Sequence, residues 1–183
     1  MCPRSVVSGK AVETVPRNVL VTYGTKNGST GEIARFIASV LRREGLEADV
    51  RPPAEVVDMT PYDAVVIGGA LYMGRWHRDA GRFTRRHRRA LRERPVWLFS
   101  SGPLDPSASE RDIPPVSGAE RAIDRTDARE HVTFGGRLET GAKGRIARMI
   151  LDQHRGGDFR DFARIDAWAT GVARAIETPP EGP

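Results

Sequence analysis

The apolar run Val19-Leu20-Val21 leads almost at once into Tyr23-Gly24-Thr25-Lys26-Asn27-Gly28-Ser29-Thr30. This stretch restricts the fold more than any other in the chain. It reads as a strand, a tight hydroxyl-rich loop, and a helix starting near Ser29. Such a loop offers backbone N–H groups and hydroxyls to an anion, and the helix dipole adds partial positive charge. A phosphate monoester fits that chemistry. The loop has neither the Gly-x-x-x-x-Gly-Lys-Ser/Thr of a P-loop nor Gly-x-Gly-x-x-Gly. An ordinary Gly/Ser/Thr strand-to-helix turn is the plainer alternative.

Strands and helices alternate along the rest of the chain. Asn18–Tyr23 is a continuous apolar run that suits a central parallel strand. From Ser29 to about Arg43, Ile33, Ile37, Val40 and Leu41 share one helical face, and Gly45 ends the helix. Ala48–Arg51 is a short second strand, and Val56-Val57-Asp58 is a weak helical turn. Asp63–Gly68 is a third strand followed by a loop over Gly69–Trp76. One helix is expected over Arg78–Arg92, before Pro95. Val96–Ser100 is a fourth strand, with the loop Ser101–Pro106 after it. A helix over Gly118–Thr126 and a fifth strand over His131–Gly135 follow. Ala142–His154 reads as a helix. Asp161 caps a last helix whose apolar face holds Phe162, Ile165, Trp168, Val172 and Ile176. Residues 1–17 read as a disordered extension, 18–178 as one domain, and 179–183 as a tail. Five strands with intervening helices imply an open parallel sheet covered on both faces. Ligands of such sheets lie at the carboxyl ends of the strands.

With 183 residues, 39% hydrophobic and 29% charged, the chain suits one globular domain with a sizeable core. No apolar run approaches the roughly 20 residues that span a bilayer. The N-terminus does not read as a secretory signal, so a cytoplasmic location is expected. Cys2 is the only cysteine, which excludes an internal disulfide and a multi-cysteine metal site. His77, His87, His131 and His154 are too scattered to suggest a metal, and no Ser–His–Asp arrangement can be placed. Net charge is +5 with a pI near 10. Positive charge favours anionic partners, among them lipid and acidic protein.

The order of aromatic, Gly, Thr, two spacers, Gly, spacer and Thr, with Ala34 and Ile37 in step behind it, resembles the FMN phosphate loop of the flavodoxin family. Thr22 stands where that family usually has an apolar residue. The resemblance implies an α/β flavodoxin-like fold: an open five-stranded parallel sheet, order 2-1-3-4-5, with helices on both faces. It also implies FMN, with the phosphate on Thr25, Lys26, Asn27, Gly28, Ser29 and Thr30. The flavin ring would lie between two further loops, Ala70-Leu71-Tyr72-Met73-Gly74-Arg75 and Ser101-Gly102-Pro103-Leu104. Tyr72 or Trp76 could stack on the ring, although Trp76 could instead start the basic helix. Met73-Gly74 resembles the Met-Gly-Asp turn of some flavodoxins, with Arg75 in the acid's place.

The first loop, the second loop Tyr-x-Gly-x-x-His and the Phe134-Gly-Gly-Arg-Leu138 stretch together look like the quinone-dependent protoporphyrinogen IX dehydrogenases. That resemblance covers roughly residues 18–177 and includes the helix Ala142–His154. It implies an FMN-dependent dehydrogenase that passes electrons from an organic substrate such as a porphyrinogen to a quinone or a redox partner protein. A non-enzymatic electron carrier and an FMN-free interaction module are the alternatives. Arg78, Arg82, Arg85, Arg86, Arg88, Arg89, Arg92 and Arg94 crowd one segment. They read as a solvated helix face, or else as a docking surface for anionic membrane or substrate propionates. Nucleic-acid binding is not expected, because there is no aromatic interleaving and no recognition motif.

Overall fold

The computed structural model describes residues 17–138 and 156–178. The N-terminal extension, the C-terminal tail and the expected helix Ala142–His154 lie outside the described residues. The strands are β1 (Asn18–Gly24), β2 (Glu47–Arg51), β3 (Ala64–Tyr72), β4 (Arg75–Trp76), β5 (Val96–Ser101), β6 (Glu130–Phe134), β7 (Arg137–Leu138) and β8 (Gly157–Asp158). The helices are α1 (Ser29–Arg43), α2 (Arg78–Arg86), α3 (Arg88–Arg92), α4 (Ser107–Glu110), α5 (Ser117–Thr126) and α6 (Phe162–Glu177).

Five parallel strands pair in the order β2-β1-β3-β5-β6. This is the expected 2-1-3-4-5 order, with β4 added antiparallel to β3 as a short hairpin arm. The central strands have no polar face to show. Val19, Leu20 and Val21 of β1, Val65, Val66 and Ile67 of β3, and Leu98 and Phe99 of β5 are all fully buried. Helices cover both sides, which is why these runs are continuous rather than alternating. On one side α1 and α6 close over Val19, Val21, Val66 and Phe99. Ile33, Ile37, Val40 and Leu41 of α1 are buried there, each contributing about 1.5–3 kcal/mol by burial. On the other side α2, α3 and α5 close over Leu20, Val65, Ile67 and Leu98. The Asp161 carboxylate accepts from the Arg164 N–H at 3.0 Å and starts α6 as expected. Along that helix Ile165, Val172 and Ile176 are buried, Trp168 is half-buried and Phe162 is exposed.

Several local expectations change. The helix over Arg78–Arg92 is broken at His87, which ends α2 and precedes α3. Val56-Val57-Asp58 forms no helical turn; Val56 drops into the core and Val57 stays exposed. The third strand runs on to Tyr72, so the expected loop over Gly69–Trp76 is mostly hairpin. Thr22 is fully buried in β1, and its Oγ1 has no hydrogen-bond partner. Ser100 Oγ and His131 Nε2 lie 2.8 Å apart. Ser100 is fully buried, and burial lowers the His131 pKa to about 4. The pair joins neighbouring strands and offers no accessible nucleophile.

Candidate functional site

A cleft of about 880 Å3 opens at the carboxyl ends of β1, β3 and β5. This is the crevice that strand order alone assigns to a ligand, because the connections from β1 and β3 leave in opposite directions there. Its first wall is the loop after β1. Thr25 Oγ1 accepts from the Gly28 N–H at 3.0 Å, which pulls the loop into a turn. Gly28 sits at φ +87° as the residue before α1, a backbone conformation that a Cβ penalises. Thr25, Lys26, Asn27, Ser29 and Thr30 line the cleft. The Thr30 side-chain oxygen is buried without a partner.

The second wall is the β3–β4 hairpin. Leu71 pairs with Trp76 and Tyr72 with Arg75. Met73 and Gly74 at the tip have φ of +50° and +68°, the pattern of a two-residue hairpin turn with both central residues left-handed. Met73 is 73% exposed. Trp76 does not start a helix. Its side chain is 7% exposed and belongs to the core under the cleft. The ring passes so close over Gly69 that any Cβ there would overlap the indole. Tyr72 is half-buried, with Lys26 Nζ 4.6 Å from its ring centroid. His77 follows; its Nδ1 accepts from the Asp79 N–H at 3.3 Å and caps α2. Burial holds the His77 pKa below the usual histidine range, and the Asp79 carboxylate opposes that shift.

The third wall comes from Ser101, Gly102 and Leu104, joined by Gly136, Arg137 and Leu138. The Gly102 N–H donates to the Phe134 carbonyl, and the Gly136 N–H to that of Pro103, which tie the two segments together. The Arg137 N–H donates to Ser29 Oγ at 3.1 Å, joining this wall to the start of α1. Behind it, Glu32 pairs with both Arg137 and Arg160, and Arg160 pairs with Asp158 at 2.6 Å. The hydrogen bond from Arg160 is the main cause that holds the Glu32 carboxyl below its usual range; burial works the other way.

Thirteen of the sixteen expected site residues therefore border one cleft. Gly28, Gly74 and Pro103 do not line it; they shape its turns and anchor its third wall. Trp76, His77, Arg78, Asp79, Gly136, Arg137 and Leu138 line it although they were outside that set. The two aromatic loop residues and the Phe-Gly-Gly-Arg-Leu stretch were visible as motifs. Nothing local marked Asp79, or the Glu32 and Arg160 carboxylate–guanidinium pair behind the wall. Among the described residues, no group of three or more His, Cys, Asp or Glu could hold a metal ion. No described helix is long and apolar enough to cross a membrane.

A doubly covered parallel sheet in the order β2-β1-β3-β5-β6, with a cleft at the carboxyl ends of its strands, defines an open α/β domain of the doubly wound class. The Flavodoxin domain family matches residues 20–153, and the chain belongs to that family. Solved structures agree on the fold. The C101S mutant of flavodoxin from Pseudomonas aeruginosa is similar with a TM-score of 0.60 and 16% identity, over 88% of this chain and 99% of that one. The two-electron reduced flavodoxin of Megasphaera elsdenii gives 0.56 and 14%, over 86% and 99%. Protoporphyrinogen IX dehydrogenase [quinone] of Escherichia coli strain K12 is 32% identical over 83 residues. That match spans 44% of this chain and 46% of the relative, so less than half of the enzyme's length is matched.

The cofactor of the family is FMN, and the cleft suits it. Two buried donors without partners, Thr30 Oγ1 and Trp76 Nε1, belong to residues of its lining. Leaving such groups unsatisfied costs about 1–3 kcal/mol each, and a phosphate or a ring carbonyl would supply an acceptor.

Proposed function

We propose that this chain is an FMN-dependent oxidoreductase of the protoporphyrinogen type, taking electrons from a porphyrinogen and passing them to a quinone. The observation that carries this reading is the 32% identity over 83 residues with the E. coli enzyme. FMN, when bound, supplies the two-electron chemistry; the residues bind it, orient it and set its electrostatics.

In this reading the phosphate lies on Thr25, Asn27, Gly28, Ser29 and Thr30. There the N-terminus of α1 favours negative charge. Lys26 supplies a full charge and leaves the Tyr72 ring to do so. Tyr72 rather than Trp76 stacks on the flavin ring, because the Trp76 indole is already committed to the core. Ala70, Leu71 and Met73 form the remainder of that ring wall, with Gly74 turning its tip, and Ser101, Gly102 and Leu104 face it from the third wall, which Pro103 anchors. Arg75 places a cation on the hairpin. A cation there stabilises negative charge on the reduced cofactor and raises its potential. Arg75 is exposed, so solvent screening keeps the effect to tens of millivolts as an order of magnitude.

Anaerobic turnover of protoporphyrinogen IX with a soluble quinone tests the reading. The FMN-loaded protein should oxidise the porphyrinogen catalytically, and the apoprotein should not. Redox titration of Arg75→Asp should give a lower midpoint potential. A protein that binds FMN and exchanges electrons with a reductase, yet never turns over the porphyrinogen, is an electron carrier instead. One that does not bind FMN is an interaction module.

A further inference from the structure

A second cavity, of about 690 Å3, lies at the far end of α2. The helix begins at the FMN cleft with Arg78 and ends eight residues later at Arg86, about 12 Å away at the helical rise. Arg85, Arg86, Arg88, Arg89 and Arg125 wall this groove around His87. Among the described residues, no Asp or Glu borders it.

The arginines of this region divide sharply. Arg78 and Arg82 each lie 3.7 Å from the Asp79 carboxylate. Arg92 donates to the carbonyls of Asp124 and Arg125 at 3.1 Å. Arg94 donates to the carbonyls of Ala90, Met59 and Tyr62. Among the described residues, Arg85, Arg86, Arg88 and Arg89 have no hydrogen-bond or ion-pair partner, and all four line the one cavity. Arg125 completes it from α5 and is held in place: its Nη1 donates to the buried Thr84 hydroxyl at 3.1 Å.

His87 lies in the same lining, its ring fixed against Phe83 with centroids 4.7 Å apart. Burial and the Arg86 guanidinium keep it below the usual histidine pKa, so at neutral pH it adds a polar group without adding to the repulsion. A merely solvated arginine face needs no such convergence.

We propose that this groove binds a small polyphosphate-bearing anion, inorganic or nucleoside, at a site separate from the FMN cleft. Guanidinium forks match phosphate oxygens bidentately. Five positive charges in one cavity call for a ligand that concentrates several negative charges, which a di- or triphosphate does and a single carboxylate does not. Bases of a nucleic acid would find no exposed aromatic face to stack on, since the only ring in the lining is His87.

Calorimetric titration of the FMN-loaded protein with sodium tripolyphosphate tests this, since FMN then fills the α1 loop. One ligand per chain is expected, with affinity falling as salt rises. Arg86→Gln with Arg89→Gln should weaken binding by roughly tenfold or more, the scale of lost charge-assisted hydrogen bonds. Arg82→Gln should leave it intact. FMN fluorescence quenching should be unchanged in the groove pair. If that pair misfolds by circular dichroism, Arg85→Gln with Arg88→Gln carries the same test. No saturable binding, or binding indifferent to the groove pairs, overturns the proposal. So does an interaction confined to phosphatidylglycerol vesicles or duplex DNA, which would assign these arginines to a macromolecular surface.

Discussion

The loop after β1 shapes its part of the cleft from residues adjacent in the chain. Thr25 turns it by accepting from Gly28, and Ser29 and Thr30 open α1. The hairpin after β3 shapes its part from distant ones. Trp76 folds back over Gly69, and α5 packs on it so closely that a Cβ on Gly118 would come within 3.0 Å of the Trp76 Cβ. Both walls serve one cleft, yet a local hydrogen bond holds the first while long-range packing holds the second. The loop should therefore tolerate changes in its surroundings and respond to changes in its own side chains. The hairpin should do the reverse.

The largest effect should come from Gly69→Ala. Its Cβ would drive the indole off the strand, at an overpacking cost of about 1–3 kcal/mol. Thermal melts should show the loss, and near-ultraviolet dichroism should show the tryptophan moving. An unshifted melt would mean that the hairpin is not pinned by this contact.

Two buried threonine hydroxyls without partners sharpen the comparison. Thr22→Val in β1 replaces an orphan by a methyl group and should stabilise the protein by about 1 kcal/mol, with FMN affinity unchanged. Thr30→Val should also stabilise the apoprotein, yet weaken FMN binding by roughly tenfold, one lost hydrogen bond to a charged group. Chemical denaturation and FMN fluorescence titration together separate the two. Equal FMN affinities in both variants would remove Thr30 from the phosphate site.

The smallest effect concerns the hairpin tip. Met73 holds a left-handed backbone while exposing its side chain, so it bears strain without packing in return. Asn-Gly is the favoured pair for such a turn. Met73→Asn should raise stability by about 0.5–1 kcal/mol. A lower melting temperature would show that the methionine makes a contact worth more than its strain.

Much of this was readable before any coordinates. The run Val19–Val21 marked a doubly covered strand, because only burial on both faces removes polar alternation. Thr25 and Gly28 mark a tight strand-to-helix turn, because that turn closes within four residues. The periodicity of Ile33, Ile37, Val40 and Leu41 marked the face of α1. The break at His87 was not legible, since Arg78–Arg92 carries no proline and the interruption coincides with the ring packing on Phe83. Neither was the hairpin, since Gly69–Trp76 shows turn residues but not the pairing of Leu71 with Trp76.

The sequence by itself determined the alternation of strand and helix, the tight turn after β1 and the cationic character of the α2–α3 segment, because each depends on neighbours within a turn or two of chain. Only the tertiary structure decided which aromatic sinks into the core, that Glu32 and Arg160 meet behind the third wall, and that Arg85, Arg86, Arg88 and Arg89 gather with Arg125 around His87. Those outcomes depend on residues tens of positions apart. Their proximity is set by sheet order and helix packing, and no local pattern records it.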